Sequence, residues 1–230
     1  TCRARGLNAV LLDASSAIRT DADHLAARVD MQETRALCDA QVRPLLEDHD
    51  VVITQGFVGS TAQGITTTLG RGGSDASAAI FGTVLDAEEI QIWTDVSGVY
   101  SADARIIAGA RPVPSLSFIE VRELALYGAK VLHPDAIAPA VERGIPVHVL
   151  NTFLPDEPGT VITADAHDHG DLHAVTMVSS CQALMGGSQQ IARSIRSGNM
   201  VRRVLLESTT IEHGVAVVHA PTKDAVTDVA

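Results

Sequence analysis

Thr66-Thr67-Thr68-Leu69-Gly70-Arg71-Gly72-Gly73-Ser74-Asp75 runs directly into an apolar stripe at helical spacing: Ala76, Ile80, Phe81, Val84 and Leu85. Three glycines let a backbone approach a ligand closely and present its N–H groups. The helix expected over residues 75–87 would aim its N-terminus at the same bend, which favours an anion there. The Arg71 guanidinium can grip a carboxylate or phosphate through two parallel hydrogen bonds. Asp75 supplies the opposite charge and suits an ammonium group. Together these groups fit a zwitterionic amino acid. A glycine loop alone leaves a second reading open, a tight turn with Ser74 or Asp75 capping the helix.

Outward from this bend, short apolar strands alternate with helices. Residues 8–13 read as a buried strand and residues 31–47 as a helix. Residues 51–54 form a β-branched strand that feeds Gln55-Gly56, and residues 90–93 the next strand. Ser117 and Glu120 have capping-box spacing ahead of a helix carrying Phe118, Val121, Leu124 and Ala125 on one side. Pro134 suits the first turn of a further helix and Gly144 the position past its end. Residues 145–150 are again a strand. The alternation predicts an α/β fold with a mostly parallel sheet covered on both faces.

Composition narrows the function. With 28 acidic and 17 basic residues the formal net charge is −11, which argues against nucleic acid and anionic membranes as partners. No apolar run approaches the roughly 20 residues that span a bilayer. Cys2, Cys38 and Cys181 are too few and too scattered for a disulfide framework or zinc site, so reduced thiols and a cytoplasmic location are expected. His167, His169 and His173 cluster with Asp165, Asp168 and Asp171. Their spacing matches no ligand template, and a polar linker is the expected reading.

Two further segments carry chemistry. In Trp93-Thr94-Asp95-Val96-Ser97-Gly98-Val99-Tyr100, Thr94 and Asp95 fall at the carboxyl end of a strand, where open α/β sheets bind ligands. Tyr100 can lie against a base, and Arg105, just beyond, can meet a phosphate; rim packing and a solvated arginine are the plainer readings. In Tyr127-Gly128-Ala129-Lys130-Val131-Leu132-His133-Pro134, a lysine between two helices can reach a transferring phosphoryl group, or simply sit on a helix C-terminus.

The runs TTTLGRGGSDASAA, IWTDVSGVY and YGAKVLHP, in this order and spacing and joined by ITQGF at residues 53–57, resemble aspartokinases of the amino acid kinase superfamily. The resemblance covers about residues 7–163. It implies a three-layer αβα sandwich around a mostly parallel sheet, with residues 1–165 the C-terminal, nucleotide-binding part of a catalytic domain. It implies that Arg71, Gly72, Gly73, Ser74 and Asp75 face the substrate L-aspartate. Thr94, Asp95, Tyr100, Arg105, Lys130 and Val131 would face ATP, which is used with Mg²⁺, and Lys130 and Asp75 would be the catalytic groups; no protein metal site is expected. Arg19-Thr20 matches more weakly a segment near the substrate.

Similar enzymes open with a strand and a Lys-Phe-Gly-Gly-Thr/Ser phosphate loop, followed by a substrate-binding glutamate. This sequence shows neither, so the chain reads as a fragment that should not phosphorylate on its own. Ala104 also replaces the usual proline between Asp103 and Arg105. Beyond a linker at 166–173, residues 174–230 resemble in part a small α+β ACT regulatory domain, with a strand over 176–184 and a hairpin from 201–209 and 211–220. Such units pair across subunits and bind lysine or threonine, so a homodimer or larger homo-oligomer is expected. The alternatives are a relative acting on glutamate, acetylglutamate, carbamate or UMP, and a non-catalytic binding protein of the same fold.

Overall fold

The computed structural model describes residues 1–100, 110–126, 132–164, 195–197 and 200–202. Arg105, Lys130, Val131, the 166–173 linker, the histidine cluster and most of the ACT-like stretch lie outside the described residues. The chain divides into two compact units, one built from residues 1–92 and 133–147, the other from 93–132 and 148–230. Its strand pairing is partly parallel and partly antiparallel, in an α/β fold.

In the first unit β1 (Ala9–Leu12) pairs in parallel with β2 (Val51–Thr54), Leu11 opposite Ile53. Asp13 ends β1 and caps the one-turn α1 (Ala14–Ala17), its carboxylate accepting the Ser15 N–H at 3.0 Å. The helix expected over 31–47 is two helices, α2 (Met31–Gln41) and α3 (Arg43–Asp48), meeting at Val42. Pro44, in the first turn of α3, cannot donate an i→i−4 hydrogen bond and its ring collides with the preceding turn, so α2 cannot continue. The hairpin of β3 (Val58–Ser60) and β4 (Thr66–Thr68) follows, antiparallel, with Gly59 opposite Thr67. Three threonines read above as part of the glycine bend are thus a strand leading into it.

The central helix of this unit is α4 (Gly73–Leu85). It begins two residues earlier than the apolar stripe indicates and buries more than that stripe. Ser77, Ala79, Ile80, Gly82, Thr83 and Val84 are all buried, because α2 packs on one flank and α6 (Pro134–Glu142) on another. Val84 joins Leu12, Ala17, Cys38 and Val42 in the core, with Phe81 and Leu85 packed around them. Pro134 opens α6 in its first turn, and Gly144 follows with φ of 70°, as the sequence indicated.

At the other end of α4, Asp86 adopts a left-handed conformation and gathers three arginines. Arg35 of α2 grips both its oxygens at 2.9 and 3.0 Å, Arg43 of α3 donates at 2.9 Å and Arg143 beyond α6 at 3.2 Å. Arg35 and Arg43 also donate to the terminal carbonyls of Thr83 and Val84, which no helix N–H can satisfy.

The second unit holds the carboxyl ends of β5 (Ile90–Thr94) and β7 (Val147–Asn151) with β8 (Thr160–Thr163) and β6 (Ser115–Ser117), in the order β5-β7-β8-β6. β6 and β8 run parallel. Along β7 and β8 alternate residues are buried, with Val149 and Ile162 fully enclosed. The capping box opens α5 (Phe118–Leu126): the Ser117 hydroxyl accepts the Glu120 N–H at 3.2 Å, and the Glu120 carboxylate accepts the Ser117 N–H at 2.8 Å. Val121 is the buried contact of that helix. A short antiparallel pair, β9 (Ile195–Ser197) with β10 (Met200–Arg202), is described within the ACT-like stretch; the sequence indicated a strand from 201 but no partner at 195.

Candidate functional site

At the N-terminus of α4 the chain turns through Gly70 and Gly72, both left-handed, with φ of 74° and 67°. Gly72 is the N-cap and makes no side-chain cap bond. Neither Ser74 nor Asp75 is spent on capping, so the turn-and-cap reading of this bend does not hold. Gly72 is required twice over: its φ is one that L side chains rarely adopt, and a Cβ there would stand 2.8 Å from Cβ of His133. Gly73 lies against the Phe57 ring, where a Cβ would come within 2.4 Å of Cδ2.

Phe57 is the residue that sequence reasoning passed over. It has φ of 76°, an outlying conformation for a bulky side chain. The structure holds it there from both sides. The Phe57 N–H donates to the Ser77 hydroxyl at 2.8 Å, that hydroxyl donates to the Gly73 carbonyl at 2.8 Å, and the Leu69 N–H donates to the Phe57 carbonyl at 2.9 Å. A phenylalanine has no local preference for this conformation, so the residues alone carry no signal of it.

Phe57, Gly70, Arg71, Gly72, Gly73, Ser74 and Asp75 line an open depression of about 630 Å³. The five residues assigned to the substrate from sequence are therefore together. Arg71 and Ser74 are exposed, while Asp75 is half-buried in the first turn of the helix. Burial raises the Asp75 carboxyl above its ordinary range, and the neighbouring His133 works the other way. A carboxylate short of solvent gains from a cationic partner. The depression thus offers a guanidinium and first-turn N–H groups to an anion, and a carboxylate to a cation.

Thr94, Asp95 and Tyr100 lie in the second unit. Thr94 ends β5 with its hydroxyl donating to Asp95 at 3.2 Å; Asp95 is exposed, and Tyr100 bridges to Pro112. Arg105, Lys130 and Val131 are outside the described residues. Arg19 is committed within the protein: its guanidinium donates to Glu33 at 2.9 Å, to the Ser60 hydroxyl at 3.0 Å and to the Thr61 carbonyl. Thr20 is buried against Thr67, hydroxyl to hydroxyl at 2.7 Å. Among the described residues no three His, Cys, Asp or Glu side chains converge as a metal site, and no helix is long and apolar enough to cross a membrane.

The glycine bend thus brings a helix N-terminus, an arginine and a half-buried carboxylate to the lining of one depression. A profile of the amino acid kinase family matches residues 1–151. The chain belongs to that family. It is 41% identical over 160 residues to lysine-sensitive aspartokinase 3 of Escherichia coli, covering 70% of this chain and 35% of the relative. Two solved structures of E. coli aspartokinase III resemble it. One, in complex with lysine and aspartate, gives a TM-score of 0.69 at 38% identity, covering 76% of this chain and 39% of that one. The other, in complex with aspartate and ADP, gives 0.68 at 39% identity, covering 72% and 37%. The chain spans little more than a third of the length of these relatives.

Proposed function

We propose that this chain contributes the amino-acid pocket and part of the nucleotide site of an aspartate kinase, which transfers the γ-phosphoryl group of ATP to the β-carboxylate of L-aspartate. The observation that carries the reading is the convergence of Arg71 and Asp75 in one depression at the N-terminus of α4. Similarity to a protein solved with aspartate and ADP supports it.

The acceptor carboxylate has an ordinary pKa near ~4 and is ionised at pH 7, so no general base is needed. Catalysis then consists of positioning and charge neutralisation. Arg71 and the helix N-terminus hold the α-carboxylate, and Asp75 holds the α-ammonium. The turn at Gly72 and Phe57 fixes both holds and leaves the side-chain carboxylate free to accept the phosphoryl group. Thr94, Asp95, Tyr100, Arg105 and Val131 form the nucleotide side, and Lys130 offsets charge on the transferring group. Mg²⁺ bound with the nucleotide would offset charge on its phosphates. Feedback by lysine or threonine at an ACT-like unit over 174–230, assembly as a homo-oligomer and a cytoplasmic location complete the proposal.

The test is trapping of ATP-dependent aspartyl phosphate by the full-length protein, alongside binding of aspartate, glutamate, acetylglutamate and UMP to the chain. Aspartate should bind in preference to the others, and Arg71→Ala should abolish that preference. Equal aspartate saturation with and without Arg71 would remove the carboxylate assignment. In the full-length protein, replacing Lys130 by Ala should lower turnover by about a hundredfold or more.

A further inference from the structure

The loop proposed to face the nucleotide is exposed at only part of its length. Thr94, Asp95 and Val96 are at least partly exposed, Ser97, Gly98 and Val99 are buried, and Tyr100 emerges again. Ser97 and Val99 are tied to side chains brought from 54 and 61 residues away.

The Thr160 hydroxyl, fully enclosed at the start of β8, accepts the Val99 N–H at 2.8 Å and donates to the Val113 carbonyl at 2.6 Å. The Val113 N–H in turn donates to the Val99 carbonyl at 2.7 Å. Gly98 passes directly over this hydroxyl. With φ of 96°, it would bring a Cβ to 2.4 Å from Thr160 Oγ1 and 2.8 Å from its backbone nitrogen. At the end of β7, the buried Asn151 amide donates to the Ser97 hydroxyl at 2.8 Å, and its carbonyl oxygen accepts the Phe153 N–H at 2.9 Å. The Thr152 N–H completes the set, donating to the Thr94 carbonyl at 2.8 Å.

We infer that Thr160 and Asn151 are positioning residues for the nucleotide: they touch no ligand but fix the loop from which Thr94, Asp95 and Tyr100 would meet it. The inference rests on the nucleotide reading of that loop given above. A buried hydroxyl that accepts one backbone bond while donating another has no apolar substitute, because its removal orphans an N–H and a carbonyl together. Residues that face a ligand hold it well only when such a supporting layer locks them. Sequence adjacency cannot reveal the arrangement, since it exists only where β7 and β8 come beside the loop.

Trp93 is the only tryptophan of the chain and immediately precedes Thr94, so its fluorescence reports on the loop. The experiment titrates ATP with Mg²⁺ into the full chain, following Trp93 emission and heat of binding. The variants are Thr160→Val, Thr160→Ser, Ser97→Ala and Tyr100→Ala. Thr160→Val should weaken ATP binding at least tenfold and leave aspartate binding within twofold. Thr160→Ser keeps the hydroxyl and should restore ATP affinity to within about threefold of the parent. The Val99 amide should be protected from hydrogen exchange in the parent and in Thr160→Ser. If Thr160→Val does not fold, Ser97→Ala, which releases only the Asn151 bond, should still weaken ATP severalfold with aspartate unchanged. ATP affinity that survives both Thr160→Val and Ser97→Ala while Tyr100→Ala loses it overturns the inference and leaves the nucleotide reading standing. Failure of the parent chain to bind ATP, or indifference of ATP to Tyr100→Ala, overturns that reading and the inference with it.

Discussion

Gly72 and Gly73 differ in why they must lack a side chain. At Gly72 alanine meets an unfavourable left-handed backbone and the His133 Cβ, which together cost about 2–4 kcal/mol. At Gly73 the backbone is helical and the obstacle is the Phe57 ring. No backbone strain adds to that clash, so Gly73→Ala should cost about 1–3 kcal/mol and deform the depression. Denaturant unfolding of both variants should rank Gly72→Ala as the less stable. Asp75 has the opposite sign of effect. Its folded-state pKa is raised, so the charged carboxylate is disfavoured by folding, and stability rises as pH falls from neutral through that pKa. Asp75→Asn should therefore raise the thermal midpoint at pH 7 while weakening aspartate binding at least tenfold. A lower midpoint with intact binding would refute the role given to this carboxylate. Arg71, Ser74 and Asp75 could be grouped from residue type and spacing, and they line one depression. Phe57 could not be, since nothing in local preference marks a phenylalanine for a left-handed backbone.

Helix ends account for much of what was legible among the elements. Ser117 with Glu120, and Pro134 with Gly144, place their helices because each satisfies or exploits a terminal group locally. Ser117→Ala should cost about 1 kcal/mol, measurable by urea unfolding, because it removes one acceptor for a first-turn N–H. The errors have equally local causes. Pro44 breaks the single helix expected over residues 31–47 into two. The threonines at 66–68 pair with Val58–Ser60, a partner too short and glycine-containing to stand out as a strand. At α4, a single stripe was visible but two flanks are covered. Its small residues, Ala79, Gly82 and Ser77, reflect close packing against neighbours that only the folded chain brings near.

For the whole chain, two measurements report on packing and charge. Burial pushes the Cys38 thiol up to about 11, so at pH 8 it is neither accessible nor ionised. Alkylation under native conditions should spare Cys38 and proceed at the less buried Cys2; labelling of Cys38 should appear only on unfolding. In acid, the Asp86 carboxyl is held well below the usual range, first by its bonds from Arg35 and then by Arg43 and Arg143. Its contribution is present above the unfolded carboxyl pKa near ~3.9 and is lost as pH falls below it. Asp86→Asn should flatten the stability profile below about pH 4. All four side chains are substantially exposed, so added salt should shrink the difference between parent and variant.

One carboxylate answering to three guanidiniums also has a consequence for how the sequence can change over generations. When any single arginine is lost, the remaining two still satisfy Asp86, so each position tolerates drift that it would not survive as one half of an exclusive pair. The acid has no such understudy. Combined arginine replacements should therefore cost more than the sum of their separate effects, and a library randomised at residues 35, 43, 86 and 143 should retain the aspartate far more stringently than any one of its partners.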